Sequence, residues 1–385
     1  MSSPIALVPR GFRIIILFFA ALSTCAKADI VTKEKLGERL FFDPILSQSQ
    51  TQSCASCHDP SAAFIDKRSN ESSGAGSLGH DNLSLGDRNA PSAGYANQTP
   101  DFHRNSKGEY VGGMFWDGRE KDLEGQAGGP PLNPIEMAMN SKEDIAKRLE
   151  DNKDYKLAFT SLFGTQLFDS AEHVYEALKE SIAAFEKTDF FSPFDSKYDR
   201  YLKGDYRLSD QEELGMTLFF SQQFTNCNAC HLLNKRPLAQ NEPFSDYRYH
   251  NIGIPINKAL RAANKSEQNY QDIGLLNNPH VNEKQHKGKF KTPSLRNVAV
   301  TAPYMHNGVF QNLDTVIAFY NQYNSKKPEN KVNPETNRQW EAPEINANLA
   351  LDELSKGSPL SKKRIDALIA FLNLLTDKRY EHLIR

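Results

Sequence analysis

The pentapeptide Cys54-Ala55-Ser56-Cys57-His58 returns later in the chain as Cys227-Asn228-Ala229-Cys230-His231. C-x-x-C-H is the attachment motif of c-type haem. Its two thiols add across the two haem vinyl groups, and the adjacent His reaches the iron as proximal ligand. Two copies imply two covalently attached haems, with iron held at His58 and His231. The competing readings are weaker. A zinc site needs a fourth ligand, and neither motif has a further Cys nearby to supply it. A thioredoxin-like redox site needs neither the following His nor a second copy. The chain holds 5 Cys in all, too few for a disulfide scaffold of this size.

The fifth, Cys25, falls in a segment that reads as an address. Arg10 and Arg13 precede the apolar run Ile14 to Leu22, and Ala26-Lys27-Ala28 follows as a small-x-small cleavage site. This pattern describes a secretory signal peptide over 1–28, cleaved after Ala28. The run is too short for a membrane span. Thr24 before Cys25 makes a poor lipoprotein box. Export to the periplasm agrees with haem attachment outside the cytoplasm. Lys+Arg 46 against Asp+Glu 48 gives no basic excess for a nucleic-acid partner. A mean hydropathy of -0.60 excludes a multi-span membrane protein.

The motifs sit in repeated surroundings. Leu36-Gly37-Glu38-Arg39-Leu40-Phe41-Phe42 precedes the first and Leu214-Gly215-Met216-Thr217-Leu218-Phe219-Phe220 the second. Arg88-Asn89 recurs as Arg296-Asn297, Phe115-Trp116-Asp117-Gly118 as Met305-His306-Asn307-Gly308, and Leu123 as Leu313. The expected architecture is mainly α: two fused cytochrome c-like haem domains, 29–195 and 196–385, with long loops and few strands. The connector lies around 188–209. Ser209-x-x-Glu212 opens a helix as a capping box. The apolar spacing of Val174, Leu178, Ile182 and Phe185 predicts a helix over 171–187, and Ser361 caps a last helix. The loops 69–113 and 264–291 are long enough to suggest function or mobility.

The repeat is unequal at one point. Seven residues beyond Leu123 and Leu313 it pairs Pro130 with Tyr320. A phenolate can ligate ferric iron and proline cannot. Periodicity alone favours a core tyrosine at Tyr320, with Leu313, Val316 and Ile317 on its helical face. The repeat makes the alternative specific: one haem capped by Tyr320, the other open beside Pro130. Unequal haems suit catalysis better than electron carriage.

These residues resemble a known family, the bacterial di-haem cytochrome c peroxidases and their MauG relatives. The resemblance runs from about Leu36 to the C-terminal helix. Its anchors are both C-x-x-C-H motifs, Arg88-Asn89-Ala90-Pro91, Phe115-Trp116-Asp117-Gly118-Arg119, Pro130 through Glu136-Met137, and Thr292 to Gly308. It implies that His58 serves the peroxidatic haem and His231 the electron-transfer haem. Trp116 takes the place of the tryptophan that relays electrons between them, and Glu136 that of the distal glutamate. Gln126 and Pro130 are implied as distal-pocket neighbours, and His306 as a contact of a haem propionate. Asn89, Thr301 and Pro303 match a calcium site of one side-chain and two backbone oxygens, a donor set that suits a hard cation. Tyr320 falls where MauG relatives carry Tyr and peroxidases of the other type carry Met; Met305 is one residue before His306 and is not at that position. His80 resembles the His that caps the resting peroxidatic iron, but one extra residue separates it from Arg88-Asn89. The competing reading for His80 is a solvated loop histidine. MauG's surface tryptophan before the second motif is Thr225 here.

The implied reaction is reduction of hydrogen peroxide to water. Glu136 takes a proton from the inner oxygen and delivers it to the outer one. Electrons come from a small donor protein, a cytochrome c or cupredoxin. A MauG-like oxidase that modifies residues of a partner protein is the alternative, and a non-catalytic di-haem electron carrier is third. The resemblance leaves a homodimer open. Of the remaining histidines, His250 reads as haem-adjacent, and His103, His173, His280, His286 and His382 as surface.

Overall fold

The computed structural model describes Met1 and residues 32–234 and 238–384. The expected signal peptide, Met1 apart, lies outside them. Among the described residues no helix is long and apolar enough to cross a membrane.

Each half is built on one crossing of two helices. In the first, α1 (Lys33–Phe42) crosses α4 (Ala171–Glu186). In the second, α6 (Asp210–Phe220) crosses α8 (Lys362–Leu374). The glycine of each Leu-Gly repeat sits at its crossing point. A Cβ on Gly37 would overlap the Ser181 carbonyl, and one on Gly215 the Ala367 carbonyl. Each pair therefore packs backbone to backbone where only glycine fits. Leu36 and Leu40 enter the core around Leu149, Phe159 and Leu178. Leu218 and Phe219 enter the core around Leu368 and Phe371.

Between these pairs lie α2 (Leu123–Ala127), α3 (Gly129–Leu132), α5 (Lys197–Leu202) and α7 (Leu313–Asn324). Strands among the described residues are two-residue pieces paired into three two-stranded ladders. The predicted caps are present: Ser209 with Glu212 forms a capping box, and Ser361 is the N-cap of α8.

The connector is less irregular than its sequence suggests. It contains α5, opened by a capping box of Ser196 and Asp199. Tyr198 on α5 packs edge-on against Phe244 and Phe371 of the second core. The halves also interlock at the C-terminus. Asp377 accepts a hydrogen bond from Tyr95, Arg379 lies over Phe64, and Tyr380 donates to the Pro60 carbonyl at 2.7 Å.

The fainter repeat is also structural. Phe115 (φ 62°) and Met305 (φ 76°) both take left-handed backbone. Met114 then bridges to Glu120 and Tyr304 to Phe310 in the same antiparallel manner. The two tetrads thus form one turn, built twice.

Candidate haem centres

Each C-x-x-C-H sits on a short helical turn, Cys54–Cys57 and Cys227–Ala229, beside an internal cavity. His58 Nδ1 is 3.2 Å from the Phe64 carbonyl, and His231 Nδ1 is 3.2 Å from the Phe244 carbonyl. A carbonyl only accepts, so in both rings Nδ1 carries the proton and Nε2 is left with its lone pair. Phe64 (φ 60°) and Phe244 (φ 58°) are fully buried and left-handed, which aims each carbonyl at its histidine. Burial lowers the pKa of both imidazoles against the opposing pull of those carbonyls. A neutral imidazole with a free Nε2 is what an iron ligand requires. Both sites fit the group that their motif implies.

The first cavity, about 550 Å³, is lined by Cys57, His58, Gln126, Pro130 and Glu136. Gln126 is on α2, Pro130 in the first turn of α3, and Glu136 in the turn that follows. The Glu136 carboxylate accepts a hydrogen bond from Asn133 Nδ2 at 2.7 Å. Burial raises its pKa, while Arg119 and Asn133 oppose the shift. His80 does not line this cavity. Its N–H donates to the Glu136 carbonyl at 2.7 Å, and its ring Nδ1 lies 3.0 Å from Ser49 Oγ. A tight turn follows His80, in which Asp81 accepts from Leu83 and Ser84. The ring stays with Ser49.

The second cavity, about 230 Å³, is lined by Cys227, Cys230, His231, His250, His306 and Tyr320. Tyr320 lines it from α7, and burial, then nearby Cys230 and Cys227, raises the pKa of its phenol. His306 stacks on Phe290 at 3.6 Å, and its buried Nε2 has no hydrogen-bond partner among the described residues. An orphaned ring nitrogen on the wall suits a polar edge of a bound group. His250 lies 3.7 Å from Cys230 Sγ, next to the attachment point, as read from the sequence.

Trp116, Lys291 and Met305 line both cavities, so one layer of side chains separates them. Trp116 Nε1 donates to the Asn89 carbonyl at 2.8 Å, which fixes the indole in that layer. Arg88 ties the halves together through Asp272 at 2.6 Å and also pairs with Asp117 of its own half at 2.7 Å. Asn89, Thr301 and Pro303 line the first cavity.

Sequence reasoning missed several residues. His286 is not a surface residue: it is buried edge-on against Tyr110 at 5.1 Å, because the 264–291 loop folds onto the β1–β2 ladder (His103–Arg104 and Tyr110–Val111). The other four histidines read as surface are exposed. Lys291 is half-buried and donates to the Gly113 carbonyl; desolvation pulls its amine down to about 7. Glu186 lines the first cavity, although the helix pattern ended one residue before it. Phe224 is 36% exposed beside Thr225 on the wall of the second cavity, with Arg364 over its ring at 4.8 Å.

The description "Di-haem cytochrome c peroxidase" is that of the family model that matches residues 31–207. The methylamine utilization protein MauG of Paracoccus denitrificans is 50% identical over 349 residues, covering 91% of this chain and 89% of that one. The cytochrome c551 peroxidase of Nitrosomonas europaea is 32% identical, with 74% and 71% covered. Among solved structures, the diheme peroxidase BthA from Burkholderia thailandensis superposes with a TM-score of 0.80 at 31% identity, covering 92% of this chain and 88% of that chain.

Proposed function

The chain belongs to the di-haem cytochrome c peroxidase family, and from that premise we propose which of its residues carry out peroxide reduction. Haem bound in the first cavity would supply an iron centre for peroxide reduction. His58 Nε2 would hold that iron. Gln126, Pro130 and Glu136 form the wall where peroxide is handled. Glu136 takes a proton from the bound peroxide oxygen and passes it to the outer oxygen, which leaves as water. Burial raises the pKa of its half-buried carboxyl, which suits it to exchange that proton, and Asn133 fixes its orientation. Glu136 in the first cavity is the observation that carries this reading. We assign His80 no ligand role.

Trp116, common to both cavity walls, is the bridge for electrons between the haems. Electrons arrive at the second haem from a small redox protein, a cytochrome c or cupredoxin. Calcium is held by Asn89, Thr301 and Pro303. The Asn89 side chain and the Thr301 and Pro303 carbonyls make no hydrogen bond among the described residues, which leaves three oxygens for a hard cation. Metal analysis of the purified protein should find calcium that Asn89→Ala lowers; equal content in both would remove the site. The domain limits 29–195 and 196–385 and a periplasmic location complete the reading.

A second reading has one observation in its favour. Tyr320 in the second cavity suits a phenolate ligand, and a hard phenolate favours Fe(III). The protein would then store oxidising equivalents for a partner protein, as a MauG-like oxidase. Thr225, in place of the surface tryptophan, counts against the same exit route. Tyr320→Phe is expected to change the ferric spectrum of the second haem while leaving the first unaltered. An unchanged spectrum removes Tyr320 as ligand. Rapid steady-state turnover with reduced cytochrome c favours the peroxidase reading; slow turnover with a long-lived oxidised state favours the oxidase.

A further inference from the structure

The two halves correspond residue by residue at their helix crossings, and the correspondence isolates Glu186. Beyond the Ser181 carbonyl, a Cβ on Gly37 would next approach Phe185; beyond the Ala367 carbonyl, one on Gly215 would next approach Phe371. Phe185 therefore answers to Phe371, and Glu186 to Leu372. Leu372 is a buried apolar residue on the wall of the second cavity. Glu186 is 6% exposed on the wall of the first, and its Oε2 has no hydrogen-bond partner among the described residues. A buried carboxyl without a partner is among the costlier things a core can hold. The packing does not demand it, since leucine fills the equivalent place.

The charges around α4 leave Glu186 to the cavity. Lys33 of α1 pairs with Glu180, Glu124 of α2 with Lys187, and Lys142 with Glu172, all on exposed faces. Against the inner face α1 brings Phe41 and Phe42, and α2 brings Leu123. Cys54, the haem-attachment residue, is the titratable group that feels the Glu186 carboxylate. Burial is the single cause acting on the carboxyl itself, and pushes it up to about 8. Glu136 and Arg119 line the same cavity without being among the causes of that shift.

We propose that Glu186 is a redox-linked proton site of the first haem. Loss of one electron from that haem is accompanied by release of one proton from the Glu186 carboxyl to solvent, and return of the electron by its uptake. Oxidation adds one positive charge to the iron inside a poorly screened cavity, and a carboxylate nearby is favoured by it. The reduced haem loses that charge, and the neutral acid returns. The inference rests on haem occupying the first cavity, and not on peroxide turnover. In the second half Leu372 takes this place.

The test is a spectroelectrochemical titration of the holoprotein, without peroxide, with the two haems followed separately. Over the pH range in which the carboxyl titrates, one proton per electron lowers the first haem's potential by about 59 mV per pH unit. Glu186→Gln and Glu186→Leu should both abolish this slope, the leucine variant copying the second half. Glu136→Gln should keep it, so loss of turnover and loss of the slope are separate outcomes. A flat wild-type profile overturns the proposal. So does a slope retained in either Glu186 variant with haems attached, or a slope lost in Glu136→Gln.

Discussion

Replacing Glu136 by Gln is expected to lower peroxide turnover by about 10²–10⁴-fold, the usual worth of a positioned acid–base group. Both haems should stay attached, because attachment and proximal ligation rest on Cys54, Cys57 and His58 and their counterparts. The substitution preserves shape, and Asn133 still meets an amide oxygen at that position. What it removes is the ability to take a proton and give it back. Burial already holds the carboxyl's pKa above its usual value, so the group is poised to exchange that proton. Stopped-flow reaction of the reduced protein with peroxide separates the outcomes. Slow peroxide cleavage with normal electron delivery to an added oxidant supports the role. Unimpaired cleavage would sink it.

Replacing Asp199 by Ala is expected to destabilise the second half by about 3–5 kcal/mol, the cost of leaving one partner of a buried ion pair alone. Arg296 is fully buried, and its guanidinium contacts Asp199 at 2.6 and 3.0 Å. It also donates to the Glu242 carbonyl at 2.8 Å and lies over the rings of Phe194 and Phe244. Phe244 is the residue whose carbonyl holds His231. An unpaired Arg296 therefore disturbs the seat of His231, the proposed haem ligand, as well as the core. Denaturant unfolding of the holoprotein measures the loss, and a change under about 1 kcal/mol would mean that water reaches the guanidinium. Replacing both Arg296 and Asp199 with apolar residues should cost less than the single change, since no charge is then stranded.

Much of the site was legible because c-type haem chemistry uses contiguous residues. Two thiols and an imidazole within five positions can be read without knowing the fold. The repeat was legible for a related reason: each helix crossing needs glycine at one position, and Gly37 and Gly215 keep the same leucine and phenylalanine neighbours. The capping boxes at Ser209 and the cap at Ser361 are local as well. The connector helix at Lys197–Leu202 carried a comparable signal in Ser196 and Asp199, but its short length hid it.

The residues that were not legible are those whose role depends on what packs against them. Glu186 continues the four-residue spacing of Leu178 and Ile182, yet a glutamate at a helix end reads as solvated. His286 reads as a surface histidine in a long loop until that loop folds onto Tyr110. Lys291 is an ordinary lysine until both cavities close around it.

The sequence alone determined that this chain carries two haems, on two related helical units, with Pro130 and Tyr320 as the point of difference. These facts are written in short-range spacing, which survives without a fold. The tertiary structure decided which side chains share each cavity, that Trp116 stands in the layer common to both, that His80 turns to Ser49, and that a lone carboxyl lies where the other half has leucine. Burial and separation in space belong to the folded chain, and they decide whether a charged group is a solvated surface residue or part of the chemistry.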